Sequence, residues 1–115
     1  MSYVLRLVQQ YQPSAAQSFL RLEAEFKELE RRLPQFPQGK RFQLLSAGEP
    51  TNTVVWEGEF ASLEDVQKAL DKMAGDPTHT ALFEKQLPYI ISTHTEIYKA
   101  LDLKAYEQPH NSDCV

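Results

Sequence analysis

The adjoining segments TVVWEGEF (residues 53–60) and ASLEDVQKAL (residues 61–70) decide the fold. The first alternates with a period of two, which predicts a β-strand with two unlike faces. One face is apolar and the other carries two carboxylates: Val54, Trp56 and Phe60 against Val55, Glu57 and Glu59. Ser62, with Asp65 three residues later, is a helix-capping signal, so the second segment is predicted to begin a helix.

Three further strands are predicted elsewhere in the chain. Period-two patterns rich in β-forming residues occupy residues 3–11, 41–47 and 90–101. Only the short turn-forming sequence GEPTN separates the second of these from residues 53–60. Because the link is so short, these two strands are predicted to form an antiparallel hairpin.

Two helices are predicted between the strands, and the second is interrupted. Apolar residues spaced three and four apart from Phe19 to Leu33 form one helical stripe, which Pro34 ends. The second helix is expected to break near Gly75–Pro77, because Gly suits the residue after a helix end and Pro suits the first position of a new helix.

The resulting element order, β-α-β-β-α-β, predicts an α+β, ferredoxin-like fold. It places both helices on one face of a four-stranded antiparallel sheet. Residues 1–101 are expected to form this single domain, and residues 102–115 are expected to form a polar tail.

Composition excludes several classes of function. The net charge is -4 and the basic residues are scattered, which argues against nucleic-acid binding. No apolar run approaches the roughly 20 residues of a membrane span. Residues 1–7 lead directly into a strand pattern, so no signal peptide is expected. The single cysteine, Cys114, allows no intrachain disulfide, and a cytoplasmic location is expected. Neither a phosphate-binding glycine loop nor a cysteine-based site is present in the sequence, so no cofactor and no metal are predicted.

The sheet face away from the helices, here called the open face, is predicted to be chemically mixed. Period-two assignment places Phe42 and Leu44 under the helices and the following residues on the open face: Val4, Arg6, Val8, Arg41, Gln43, Leu45, Val55, Glu57, Glu59, His94, Glu96 and Tyr98. A solvated face would not need the valines, and a dry core would not hold unpaired charges. The open face is therefore predicted to be an interface with a partner sheet or the lining of a cavity.

His94 and Glu96 are the first candidates for chemistry. They lie two apart on one strand face, and they suit either a general base with an orienting carboxylate or two metal ligands. A hydrogen-bonded polar pair within an interface is the favoured interpretation, because the sequence supplies no further metal ligands. Tyr98 is expected to contact a ligand or a second subunit.

Glu57 and Glu59 form a second candidate pair. Two carboxylates on one face can perform acid–base catalysis when the pKa of one is raised. The favoured interpretation is that they form salt bridges to Arg6 and Arg41, which are predicted to share their face.

His79 and Trp56 have mainly structural interpretations. His79 is expected to be an exposed residue of a helix first turn, with a place at the mouth of a pocket as the alternative. Trp56 is expected in the core rather than as a stacking platform, because its strand position faces the helices.

The runs VVWEGEFASLEDVQKAL (residues 54–70) and PYIISTHTEIYKAL (residues 88–101), in this element order, resemble the dimeric α+β barrel superfamily. The resemblance covers about residues 3–101 and is strongest to the NIPSNAP-like and antibiotic-biosynthesis-monooxygenase-like members. It implies a homodimer whose two sheets pack face to face, with the open face lining the barrel. The resemblance identifies no catalytic residue in this sequence.

Three functions remain open from the sequence. The first is a dimer that binds a small organic ligand in the barrel, through Arg6, Arg41, Glu57, Glu59 and Tyr98. The second is a cofactor-independent monooxygenase or isomerase with His94 as the base and Glu96 beside it. The third is a protein-interaction module that uses the open face.

Overall fold

The computed structural model describes residues 2–46, 48 and 50–107, and it confirms the predicted α+β, ferredoxin-like order of elements. The elements are β1 (Tyr3–Tyr11), α1 (Ala16–Arg32), β2 (Lys40–Gln43), β3 (Thr53–Phe60), α2 (Leu63–Gly75), α3 (Pro77–Gln86) and β4 (Ile90–Lys99). Short 3₁₀ turns cover Pro13–Ala15, Leu87–Tyr89 and Leu103–Tyr106.

The break in the second helix is confirmed, and Asp76 causes it. Its backbone is extended, as the residue before a proline prefers, so α2 ends at Gly75. Its side chain accepts a hydrogen bond of 2.8 Å from the backbone N–H of His79 and caps α3, which begins at Pro77. Gly75 itself is the last helical residue and does not take a left-handed conformation. Ser62 caps α2 in the same way, by accepting from the N–H of Asp65 at 3.0 Å.

The four strands form one antiparallel sheet in the order β2-β3-β1-β4. The main core lies between the helices and one sheet face, and its buried members are Leu5, Phe26, Leu29, Phe36, Trp56, Val66, Met73 and Leu82. The predicted helix stripe and the predicted core position of Trp56 are therefore confirmed.

Trp56 also fixes the path of the connection between α1 and β2. A Cβ atom placed on Gly39 would lie 2.3 Å from the indole Cε2 atom, and one on Gly58 would lie 2.8 Å from the indole Cη2 atom. Both distances are too short for real contacts, so the two glycines let the backbone pass directly against the ring.

Strand β2 departs from the prediction in extent and in orientation. It spans Lys40–Gln43 rather than residues 41–47, and Ala47 lies outside the described residues. In its register Arg41 lies opposite Trp56, and Phe42 lies opposite Val55. Arg41 therefore lies on the helix-covered face and Phe42 on the open face, the reverse of the predicted assignment. Gln43 lies opposite Val54, so it too lies on the helix-covered face rather than on the predicted open face.

The C-terminal segment is described only in part. Residues 102–107 contain the last 3₁₀ turn, whereas the remainder of the predicted tail, with Cys114, lies outside the described residues. None of the helices within the described ranges has the length and apolar character needed to cross a membrane.

Candidate functional site

Three rows of side chains lie across the open face, two of them running from β2 to β4 and the third from β3 to β4. The rows are Phe42, Val55, Val8 and His94; Lys40, Glu57, Arg6 and Glu96; and Glu59, Val4 and Tyr98. Every predicted site residue of the open face except Arg41 lies in one of them, whereas two other residues predicted for this face, Gln43 and Leu45, do not. The face thus mixes apolar rows with a row of alternating charge, as the sequence predicts.

Arg6 organises the centre of the open face. Its Nε atom donates to Oε1 of Glu57 at 2.9 Å, and its guanidinium carbon lies 5.2 Å from the centre of the Tyr98 ring. The hydrogen bond to Glu57 is the main reason that the pKa of Arg6 is raised from its ordinary value. The predicted pairing of Arg6 with Glu57 is present, and Glu59 lies one row away, opposite Val4.

His94, Glu96 and Tyr98 form a hydrogen-bonded chain along β4. The Tyr98 hydroxyl donates to Oε1 of Glu96 at 2.7 Å, and Nε2 of His94 lies 3.0 Å from Oε2 of Glu96. These two contacts, the tyrosine first, lower the pKa of Glu96, while the bond to Glu96 raises the pKa of Tyr98. A carboxylate therefore holds the histidine ring, which is the arrangement that orients a base.

Arg41 lies away from this network, between two carboxylates of α1. Its Nε atom contacts Oε2 of Glu23 at 2.5 Å, and its two terminal nitrogens contact the carboxylate of Glu30 at 3.2 and 2.7 Å. Both glutamates are buried, at 7% and 5% exposure. The expectation that Arg41 pairs with Glu57 or Glu59 is wrong, because these closer carboxylates hold it on the helix side. The set Glu23, Glu30 and Arg41 is called the buried ion cluster below.

The buried ion cluster is completed by Gln86 of α3. The Gln86 amide nitrogen donates to Oε1 of Glu23 at 2.8 Å and to the backbone oxygen of Phe19. Burial alone lowers the pKa of Arg41, but the hydrogen bonds and charges of Glu30 and Glu23 outweigh it and raise that pKa. The guanidinium, on a side chain that is 18% exposed, therefore stays charged at the edge of the core.

Neither glutamate of the cluster is predicted from the apolar pattern, although the sequence carries a signal for both. Glu23 and Glu30 follow Phe19 and Phe26 by four residues each, so they lie on the buried side of α1. A helical stripe defined only by the apolar residues of α1 does not include these two glutamates. Two carboxylates seven residues apart on a helix face predict a basic partner when the helix packs on a sheet.

A cavity of about 150 Å³ lies beside the buried ion cluster, between the helices and the sheet. Its lining includes the cluster and these further residues: Leu7, Gln9, Phe26, Trp56, Met73, His79, Phe83 and Thr93. Thr93 is exposed, so the cavity reaches the surface at β4. The alternative interpretation of His79, as a residue of a pocket, therefore fits the structure better than the exposed one.

His79 is half-buried against two aromatic rings. Its ring centre lies 4.8 Å from that of Phe26 and 5.8 Å from that of Phe36. Burial is the main reason that its pKa is lowered from the ordinary value of 6.5; Asp76 and the cluster carboxylates oppose this shift without reversing it. The imidazole is thus uncharged near neutral pH. In the described part of the chain, no three His, Cys, Asp or Glu side chains are grouped to hold a metal ion.

Replacing Arg41 by methionine tests the buried ion cluster. Arg41→Met leaves two buried carboxylates without a counter-charge, and we expect it to lower the free energy of unfolding by about 3–5 kcal/mol. The control is Arg31→Met, which removes an exposed pair between Arg31 and Glu28 within α1 and is expected to destabilise the protein far less. Urea denaturation of both variants measures the difference. If both variants lost the same free energy of unfolding, the burial of the cluster would be contradicted.

Comparison with known proteins gives relatives in structure alone. No family model and no curated protein matches the sequence. A NIPSNAP family protein from Agrobacterium tumefaciens superposes with a TM-score of 0.69 at 20% identity, covering 89% of this chain and 95% of that one. An uncharacterised NIPSNAP-like domain protein from Burkholderia xenovorans superposes with a TM-score of 0.70 at 17% identity, covering 90% of this chain and 88% of that one. An antibiotic biosynthesis monooxygenase superposes with a TM-score of 0.66 at 18% identity, covering 89% of this chain and 100% of that one.

These identities are low, so the similarity establishes the fold and nothing finer. The predicted resemblance to NIPSNAP-like and antibiotic-biosynthesis-monooxygenase-like proteins is confirmed at that level. The chain has the ferredoxin-like α+β fold that these solved structures share.

Proposed function

We propose that this protein is a homodimeric α+β barrel protein that binds a small organic molecule in the cavity between helices and sheet. The cavity is the observation that carries the ligand-binding part. It combines apolar and aromatic walls with a few polar groups, which is the usual make-up of small-molecule sites. The buried ion cluster supplies those polar groups, so a role in ligand binding for Arg41 stays part of the proposal.

The size of the cavity limits the ligand. A cavity of about 150 Å³ holds a molecule of roughly the size of benzene. Trp56, Phe26 and Phe83 offer aromatic surface to such a ring. The expected ligand is therefore a one-ring compound or an aliphatic compound of similar volume, with a polar group directed to the buried ion cluster.

A fragment screen followed by NMR tests ligand binding at this site. The chain has one tryptophan and two methionines, so the Trp56 indole N–H and the Met73 methyl group give readily assigned signals. We expect one-ring fragments to shift both signals in a saturable way. The test variant is Thr93→Phe, which places a ring at the cavity mouth and is expected to weaken binding by about tenfold or more.

Thr95→Phe is the matched control for this experiment. Thr95 lies two residues along β4, on the same sheet face and also exposed, but it does not line the cavity. If no fragment shifts the Trp56 and Met73 signals, or if both variants bind fragments as the natural chain does, the cavity is not a ligand site.

The open face supports the homodimer. Phe42 is 48% exposed and Tyr98 47% exposed, beside the partly buried Val4 and Val55. A face with this much apolar surface favours a partner. Because the charged row alternates in sign, a two-fold-related copy can set its acidic groups against basic ones. The remaining candidates, Arg6, Glu57, Glu59 and Tyr98, are then proposed as interface or barrel-lining residues.

A charge placed at Phe42 tests the dimer. We expect light scattering at micromolar concentration to give the mass of a dimer, and Phe42→Glu to weaken association by about tenfold or more, as for other interface aromatics. Leu63→Glu, at a 55% exposed position of α2, is the control and is expected to leave the mass unchanged. A natural chain that is monomeric at this concentration would refute the proposal and favour the interaction with a different protein.

The hydrogen-bonded chain His94–Glu96–Tyr98 favours a second candidate function. In a cofactor-independent monooxygenase or isomerase, His94 would take a proton from a small organic substrate while Glu96 holds its ring. One structural neighbour is an antibiotic biosynthesis monooxygenase. With a single cysteine in the chain, a reducing, cytoplasmic compartment suits either function.

Oxygen uptake and solvent-deuterium incorporation, measured over a panel of phenols and ketones, test the enzymatic candidate. We expect His94→Gln to abolish any turnover, because glutamine cannot accept the proton. The control is Ser92→Ala, on the same face of β4 but outside the chain of hydrogen bonds to Glu96. Turnover that survives His94→Gln would remove His94 from the mechanism.

A further inference from the structure

The charge of the cavity wall defines the class of ligand that the cavity accepts. Arg41 contributes one positive charge, and Glu23 and Glu30 contribute two carboxylates that already flank it. Two carboxylates against one guanidinium leave an excess of one negative charge. An anionic ligand would therefore not meet a free arginine but would meet net repulsion in a region of low dielectric.

His79, at the cavity wall, does not cancel this excess. The groups that face it are Asp76 at the start of α3 and the buried ion cluster, and its burial keeps the imidazole uncharged near neutral pH. Asp76 adds a further negative charge close to the cavity. The ionisable groups around the cavity thus favour a positive or hydrogen-bond-donating ligand.

The hydrogen-bonding groups around the buried ion cluster are mainly acceptors. Gln86 is completely buried, and its amide nitrogen is used by Glu23 and Phe19. Its amide oxygen has no hydrogen-bond partner among the residues that the structure describes. Gln86 does not line the cavity, so the acceptors that a hydrogen-bond-donating ligand would meet there are the carboxylates of Glu23 and Glu30.

The apolar part of the cavity suits a cation as well. Trp56, Phe26 and Phe83 line it, and aromatic faces attract ammonium groups, tryptophan most strongly. Met73 adds a polarisable thioether. A ligand with an ammonium group near the carboxylates and a hydrocarbon body against these side chains would interact favourably with both the charged and the apolar parts of the lining.

We infer that the cavity selects small organic amines, protonated at neutral pH, over neutral and anionic compounds of the same shape. This inference rests on the proposed ligand-binding function of the cavity and adds the chemical class of the ligand. The amine donates to the carboxylate side of the buried ion cluster, and its apolar body fills the aromatic part. No bond is made or broken in this step.

A matched series of three ligands tests the inference. Benzylamine, benzyl alcohol and benzoate share one ring and differ in the charge of a single substituent. We expect the dissociation constant of benzylamine, followed at the Trp56 and Met73 signals near neutral pH, to be at least about tenfold lower than that of benzoate. Benzyl alcohol is expected to lie between them.

Two variants test whether the cluster sets this preference. Glu30→Gln keeps the shape of the side chain and removes the excess negative charge, so the preference for the amine over benzyl alcohol is expected to fall by several-fold. Glu64→Gln makes the same change of net charge at an exposed position of α2 and is expected to leave the preference intact. Thermal melts of both variants establish that they are folded.

The outcomes separate this inference from the function on which it rests. If none of the three compounds shifts the Trp56 and Met73 signals, and the fragment screen also gives no ligand, the cavity binds nothing and both proposals fail. If other fragments bind there but benzylamine does not, or if benzoate binds as tightly as benzylamine, the cavity is a ligand site and the amine preference is wrong. An equal loss of preference in Glu30→Gln and Glu64→Gln would assign it to overall charge and overturn the role of the cluster.

Discussion

The salt bridges from Arg41 to Glu23 and Glu30 are the interaction on which the rest of the structure depends. They tie the short edge strand β2 to helix α1 through three contacts of 3.2 Å or less. Because successive side chains of a strand point to opposite faces, fixing Arg41 under the helix forces Phe42 onto the open face. One partly buried cation thereby sets the composition of both faces of the sheet at this edge.

Both proposed surfaces follow from this arrangement. On the helix side, the cluster keeps charge within the core, and the cavity lies between it and the aromatic side chains that pack around Trp56. On the open side, Phe42 joins Val55 and Val8 to extend an apolar row to the sheet edge. Hydrophobic residues in place of all three charged side chains, Arg41, Glu23 and Glu30, would fill the core at lower electrostatic cost than the ion cluster does. We infer that these charges also serve the cavity.

Most of the fold follows from the sequence, whereas the candidate site does so only in part. Strands β1 and β3 and the break at Asp76 were predictable because strong alternation and an X-Pro step act locally. The pairing of Arg6 with Glu57 was predictable because both belong to central strands with unambiguous faces. The orientation of β2 was not, because four residues carry too weak an alternation to outweigh two carboxylates on a helix distant in sequence. The cavity was not predictable either, because it forms only where helices and strands distant in sequence pack together.

The exchange rate of the Arg41 Nε–H proton with solvent tests the central claim most directly. It can be measured by NMR near neutral pH, with the exposed Arg31 side chain as an internal reference. A proton held between a guanidinium and a buried carboxylate exchanges only when the structure opens locally, so we predict that the Arg41 signal exchanges many-fold more slowly than that of Arg31. Equal exchange rates would show that Arg41 is solvated and would contradict both the register of β2 and the charged wall of the cavity.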